Sequence, residues 1–243
     1  MQVAYKTYQM EKLKNVQVGE IVTRDFRAAE IFKAVGIDFC CGGAQSLEEA
    51  CKEKNLDLSS LETELTNLEQ TSGNNALNFK DWNLDFLCDY IQNTHHKTVL
   101  RLLPQLVGYT RKIADVHGAH HPELVTIADM FVEINAELLQ HLRNEEEVLF
   151  PTIKEVMSSG SAEAKKVVVS EITRMKGEHE FAGGAMDKIN VLSGGYSVPE
   201  DGCSTYEVTY QLLEQFEDDL HVHVHLENNI LYPKALGFAE ENV

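Results

Sequence analysis

The sequence predicts an all-α protein: an antiparallel four-helix bundle preceded by a small helical N-terminal domain. Three observations carry this expectation. Nearly all the longer segments repeat their apolar residues at spacings of three and four, four such segments follow one another with short connections, and two of them are near copies.

The 243 residues are 43% apolar and 25% charged, with 15 Gly and 5 Pro, which is enough chain for a real core and excludes collagen-like, low-complexity and generally disordered classes. Against 39 acidic residues stand 21 basic ones, and a net charge of -18 repels phosphate backbones and anionic head groups. Neither nucleic acid nor a membrane is expected as a partner. The opening MQVAYKTYQMEKLKN has no apolar signal core, and no run approaches the roughly 18 apolar residues that span a bilayer. Five cysteines, at 40, 41, 51, 88 and 203, are too few and too scattered for a disulfide framework, so a reducing, cytoplasmic location is expected.

Turn-rich stretches at Gly36 to Gly43, Thr71 to Asn78, His117 to Pro122, Ser158 to Ser161 and Ser193 to Ser204 set the boundaries. They leave a small helical domain over 1–75, with short helices at Arg24 to Val35 and Leu47 to Lys54, and a bundle over 80–243. The first bundle helix is expected from Trp82 to Gly108, where Pro104 should kink or break it. The second runs from Glu123 to Val156, the third from Ala162 to Leu192 and the last from Thr205 to Ala235.

The chemistry lies in the repeat. His141-Leu-Arg-Asn-Glu145 and His223-Val-His-Leu-Glu227 are each followed by two polar residues, an aliphatic, Leu, an aromatic and Pro, and they begin 82 residues apart. Each is preceded by a helix with another histidine, His96 standing 45 residues before His141 and His179 standing 44 before His223. The bundle therefore reads as a duplicated helical hairpin.

These residues interrupt buried stripes. On the second helix the stripe runs Ile127, Phe131, Ile134, Leu138, His141, Glu145, Val148; on the third Val168, Ile172, Met175, His179, Ala182, Met186, Ile189; on the fourth Phe216, Leu220, His223, Glu227, Ile230. An uncompensated acid or imidazole inside a bundle costs on the order of several kcal/mol, and a multivalent cation supplies the compensation. Spacing of four sets both side chains of a His-x3-Glu pair on one face, a nitrogen for a terminal position and a carboxylate for a bridge. Two bridging carboxylates with imidazoles form a mixed N and O shell suited to iron or manganese.

A lone His-x3-Glu is usually a surface ion pair; duplication on the buried face outweighs that reading. His221-Val-His-Val-His225 alternates as a zinc-presenting strand would, yet the helical stripe of Leu212, Phe216, Leu220, Ile230 and Leu231 passes through it. In the first helix Val99, Leu100 and Leu103 favour an inward His96, while Cys88 and Ile91 favour His95. His117, His120 and His121 are expected in a solvated loop, His221 and His225 as exposed imidazoles, and Cys51 and Cys88 as packing residues.

Residues 36 to 43 read Gly-Ile-Asp-Phe-Cys-Cys-Gly-Gly, a turn in which Cys40 or Cys41, as a thiolate, would gain from backbone N–H groups and the following helix. Two small residues buried at a helix junction is the plain alternative. An exposed pair would also permit disulfide-linked homodimers.

The whole pattern resembles the RIC family (Repair of Iron Centres), bacterial iron-sulfur cluster repair proteins in which a D-[FY]-C-C-G-G turn precedes a hemerythrin-like bundle. Asp38-Phe39-Cys40-Cys41-Gly42-Gly43, His141-x3-Glu145, Glu178-His179 and His223-x3-Glu227 carry the resemblance over nearly the whole chain. The family's first-helix histidine stands eight residues before a proline, as His96 does before Pro104. The resemblance implies two iron ions in an oxo- and carboxylate-bridged centre held by His96, His141, Glu145, His179, His223 and Glu227, with Glu178 as a nearby carboxylate. It implies repair of clusters damaged by nitric oxide or oxidants through iron donation, with damaged iron-sulfur proteins as partners and Cys40 and Cys41 handling iron or recognising the client. Open metal positions would admit a diatomic ligand such as nitric oxide or oxygen. A nitric oxide or oxygen reductase, or an oxygen or redox sensor, are the competing functions, so whether the chain is an enzyme stays open.

Overall fold

The structure, a computed structural model, describes residues 13–70 and 78–240. Residues 1–12, on which part of the signal-peptide reading falls, and 71–77, most of the expected Thr71 to Asn78 turn, lie outside the described residues. Among those described there is no strand, and the chain is all-α. No described helix is long and apolar enough to cross a membrane.

Contacts group residues up to 83 with 224–233 as one compact unit, and 84–223 with 234–243 as another. The first unit holds α1 (Val18–Arg24), α2 (Ala28–Ala34), α3 (Leu47–Lys54) and α4 (Leu58–Gln70). The helix expected from Arg24 to Val35 is cut short, starting at Ala28, with Arg24 the last residue of the helix before. Asp25 breaks it by turning its carboxylate onto the backbone N–H and the guanidinium of Arg27, a local bond that competes with the helix ladder. α3 begins where the sequence places it because Ser46 and Glu49 form a reciprocal capping box, and it ends on Asn55 in the left-handed region. Val18, Val22, Phe32, Leu47 and Cys51 fill this unit's core.

The second unit is the antiparallel bundle. Its first arm is α5 (Leu84–Ile91), a π turn (Gln92–His96) and α6 (Lys97–His117); the second is α7 (Glu123–Asn144), a π turn (Glu145–Leu149) and α8 (Phe150–Ser159). α9 (Ala162–Leu192) is unbroken, with Ser161 capping its start after Gly160 ends α8 at φ 65°. α10 (Ser204–Leu226) leads through a π turn (Glu227–Leu231), which belongs to the stretch grouped with the first unit, into α11 (Tyr232–Glu240).

Two expectations fail here. Pro104 lies inside α6, which does not break there and continues past the expected end at Gly108 to His117. The loss of one ladder bond, about 3 kcal/mol, is offset by complete burial of Val99, Leu102, Leu103 and Leu106 around it. Val148 was placed on the buried stripe but is exposed, while Leu149 and Phe150 are buried. The π turn inserts one residue and advances the apolar phase by one position. It also accounts for the proline closing each repeat: Pro151 sits at the start of the resumed helix, where its missing N–H costs least.

Candidate metal centre

Three π turns fall at the ligand level. Gln92–His96 ends on His96, Glu145–Leu149 opens on Glu145, and Glu227–Leu231 opens on Glu227. Such wide turns rotate side chains off the regular helical rows and recur at functional sites. All six candidate ligands are buried, each no more than 2% exposed.

Within the bundle unit, donor atoms of His96, Glu145 and His223 lie within 4.8 Å of one another, and so do those of His141, Glu145 and His179. Glu145 is common to both. Its Oε2 stands 3.3 Å from Nε2 of His96 and 3.3 Å from Nε2 of His141, one carboxylate oxygen between two imidazoles. Glu227 stands four residues beyond His223, where the α-helix gives way to the Glu227–Leu231 turn. Burial alone would raise the Glu145 carboxyl, but the imidazoles of His141 and His96 hold it well below the usual carboxylate range.

Two carboxylates outside the six orient the rings. His96 Nδ1 lies 2.8 Å from Glu146 Oε1, and His141 Nδ1 lies 2.7 Å from Glu178 Oε2. A carboxylate only accepts, so each Nδ1 carries the hydrogen and each Nε2 keeps its lone pair for a cation. Glu178 is itself held by Arg174, 2.7 Å away. Its acidity is strengthened by the bond from His141 and opposed by burial. No pattern in the sequence marks Glu146, although it follows Glu145 directly; the π turn brings it round.

Both His95 and His96 are buried, because the π turn directs consecutive residues inward. His96 joins the donor group, whereas Nδ1 of His95 pairs with Asp219 at 3.1 Å. His225, expected to be exposed, is completely buried against the rings of Phe39 and Phe26, and burial lowers its pKa to about 4. His121, expected to be solvated, is paired with Glu123 and Asp201. His117 approaches Cys203, its Nε2 3.2 Å from the Sγ.

The cysteine turn, in the first unit, departs from its expectation. The N–H groups of Cys40, Cys41 and Gly42 all donate to the Asp38 carboxylate, at 2.9, 3.0 and 2.7 Å, so none is left to stabilise a thiolate. Cys40 is buried and its thiol donates to Asp38 Oδ1 at 3.2 Å; the adjacent Cys41, burial and Asp38 push its pKa well above the usual thiol range. It is not the exposed reactive thiol expected from sequence. Asp38, Cys40 and Cys41 instead gather two sulfurs and an oxygen within 4.8 Å. The two glycines that follow have a steric reason as well: a Cβ on Gly43 would stand 2.7 Å from both Asn229 Oδ1 and the Phe39 carbonyl. Asn229, on the Glu227–Leu231 turn, donates to the carbonyls of Phe39 and Cys40 at 3.3 and 3.2 Å.

Four helices converging buried His and Glu on two adjoining positions define a cation-binding bundle of the hemerythrin type. Residues 89–235 match the family described as the hemerythrin HHE cation binding domain, and residues 14–69 match ScdA_N, a domain of unknown function. The chain is 36% identical over 219 residues to the iron-sulfur cluster repair protein ScdA of Staphylococcus epidermidis, covering 90% of this chain and 96% of that one. It is 36% identical to a probable iron-sulfur cluster repair protein of Haemophilus influenzae, over 86% of this chain and 92% of the relative, and 33% identical to the iron-sulfur cluster repair protein YtfE of Yersinia pestis, over 92% and 97%. The chain belongs to the RIC family, the iron-sulfur cluster repair proteins that join an ScdA_N domain to a hemerythrin-like bundle.

Proposed function

We propose that this chain restores damaged iron-sulfur clusters by holding two iron ions in the bundle and releasing iron to the damaged client. His96 and His223 would hold one ion, His141 and His179 the other, with Glu145 common to both, and the duplicated His-x3-Glu motif gives Glu227 the same bridging role. The observation that carries this reading is the position of Glu145, one carboxylate within reach of two separate imidazole sets. The names of the relatives support repair as the task.

When bound, the iron pair supplies an exchangeable metal store and a redox couple. The chain's own residues do the rest. Glu146 and Glu178 fix the His96 and His141 tautomers, and the buried apolar rows on either side keep water from competing for the donors. Cys40, Cys41 and Asp38 form a softer sulfur-containing set suited to taking a transition cation in transit, because metal binding removes the Cys40 thiol proton that the Cys41 contact and burial otherwise retain. In this reading the protein acts in the cytoplasm, under nitrosative or oxidative stress, on iron-sulfur proteins.

The test is reactivation of a cluster-depleted iron-sulfur enzyme by the iron-loaded protein, with iron counted before and after. Reactivation matched by iron loss supports donation. Reactivation with all iron retained contradicts it.

A further inference from the structure

Away from the six buried ligands, a second mixed group lies between α9 and α10. Asp187 comes from the last turns of α9, and Glu217 and His221 occupy one face of α10, one turn apart. Their donor atoms lie within 4.8 Å of one another. Asp187 is exposed and His221 half-buried, but Glu217 is only 4% exposed. Asn190, one turn along α9 from Asp187, donates to Glu217 Oε2 at 3.0 Å.

An independent feature points at the same carboxylate. After α9 the chain passes through three consecutive left-handed residues, Gly194, Gly195 and Tyr196, at φ 62°, 68° and 60°. For a tyrosine that conformation is costly, and it carries the ring inward. Tyr196 is 9% exposed, its hydroxyl makes no hydrogen bond among the described residues, and Glu217 is the strongest charge acting on it. A buried phenol aimed at a buried carboxylate, with a second carboxylate and an imidazole alongside, collects oxygen and nitrogen donors of the kind that hold a cation. Burial, ahead of every other influence, raises the Glu217 pKa to about 7.

We propose that Asp187, Glu217 and His221 form a third metal site, a mononuclear one that takes a divalent first-row cation such as Mn2+ or Fe2+. One nitrogen and two oxygens give a borderline-hard donor set with positions left for water, and the exposed Asp187 makes it reachable from solvent. Asn190 and Tyr196 orient the Glu217 carboxylate from behind, the phenol donating once Glu217 is ionised. Glu217 stands six positions before His223, about 9 Å along the helix, and Asp187, Glu217 and His221 share no residue with the buried groups.

The test titrates the iron-loaded protein with Mn2+, following the free Mn2+ signal by electron paramagnetic resonance while iron per chain is counted. The expected result is one Mn2+ bound per chain with the bundle iron undisturbed. Glu217→Gln and His221→Ala abolish that binding and leave iron content and visible absorption unchanged, which also shows both variants folded; Asn190→Ala weakens it about tenfold. No Mn2+ binding, binding only by displacement of bundle iron, or binding unaltered in Glu217→Gln would overturn the site. Iron counted at the outset tests the bundle separately, so the two readings fail in distinguishable ways.

Discussion

Nε2 of His141 stands 3.2 Å from Nε2 of His179. Because Glu178 takes the Nδ1 hydrogen of His141, that Nε2 offers a lone pair to the same small space His179 faces. A cation there satisfies both rings. Replacing Glu178→Gln keeps the shape but removes the charge behind His141, so metal affinity falls about 10- to 100-fold, measured by competition with a coloured chelator. Affinity equal to the parent protein would show that Glu178 does not tune the ligand.

Metal removal has a second consequence. A cation bound to the folded chain stabilises it by mass action, about 4 kcal/mol at a thousandfold excess over the dissociation constant. Chelated protein should therefore melt about 10 °C lower and recover on iron return, as read by circular dichroism. Equal midpoints would mean that the buried His and Glu are balanced without metal.

The bundle was legible because its signal is local and repeated: 3.6-residue stripes through Ile127, Phe131 and Ile134 or Met175, His179 and Ala182 mark the buried face, and all are buried. What escaped was one residue per wide turn. The slip that exposes Val148 and buries Leu149 was written in the run Val-Leu-Phe, yet a regular period assigns the wrong member of it inward. The pairing of Cys203 with His117 and the burial of His225 by Phe39 join residues 86 and 186 positions apart, beyond the reach of any local pattern. Asp38 belongs to the sequence pattern of the cysteine turn, but only the fold shows its carboxylate accepting from the N–H groups that a thiolate would have needed.

Cys203, to which the sequence assigned no role, should be the most reactive thiol. It is exposed at the start of α10, and a bond from His117, helped by the N–H groups of Tyr206 and Thr205, lowers its pKa to about 7. A lowered thiol pKa means that the thiolate fraction, and with it the alkylation rate, rises through about pH 7 instead of about pH 9. Iodoacetamide labelling followed by mass spectrometry should find Cys203 modified first at pH 7, with Cys40 protected, and His117→Ala should move the inflection upward. Preferential labelling of Cys40 would contradict this assignment.

Two glycine replacements should act in opposite directions. Gly43→Ala sets a Cβ against the Phe39 carbonyl and Asn229, costing about 1–3 kcal/mol. Gly237→Ala, in α11 with nothing within 4 Å of the new carbon, should stabilise by about 0.4–1 kcal/mol. Denaturant midpoints of the two variants, compared with the parent, check both signs; a Gly43→Ala protein as stable as the parent would show that the cysteine turn tolerates displacement from Asn229.

The most direct measurement is iron per chain in the purified protein and in Glu145→Ala, by plasma emission spectrometry. Two irons in the parent, falling to one or none when the shared carboxylate is removed, is the predicted result. A parent protein that binds no transition metal under iron-replete conditions, or a Glu145→Ala variant that keeps both ions, would contradict the account.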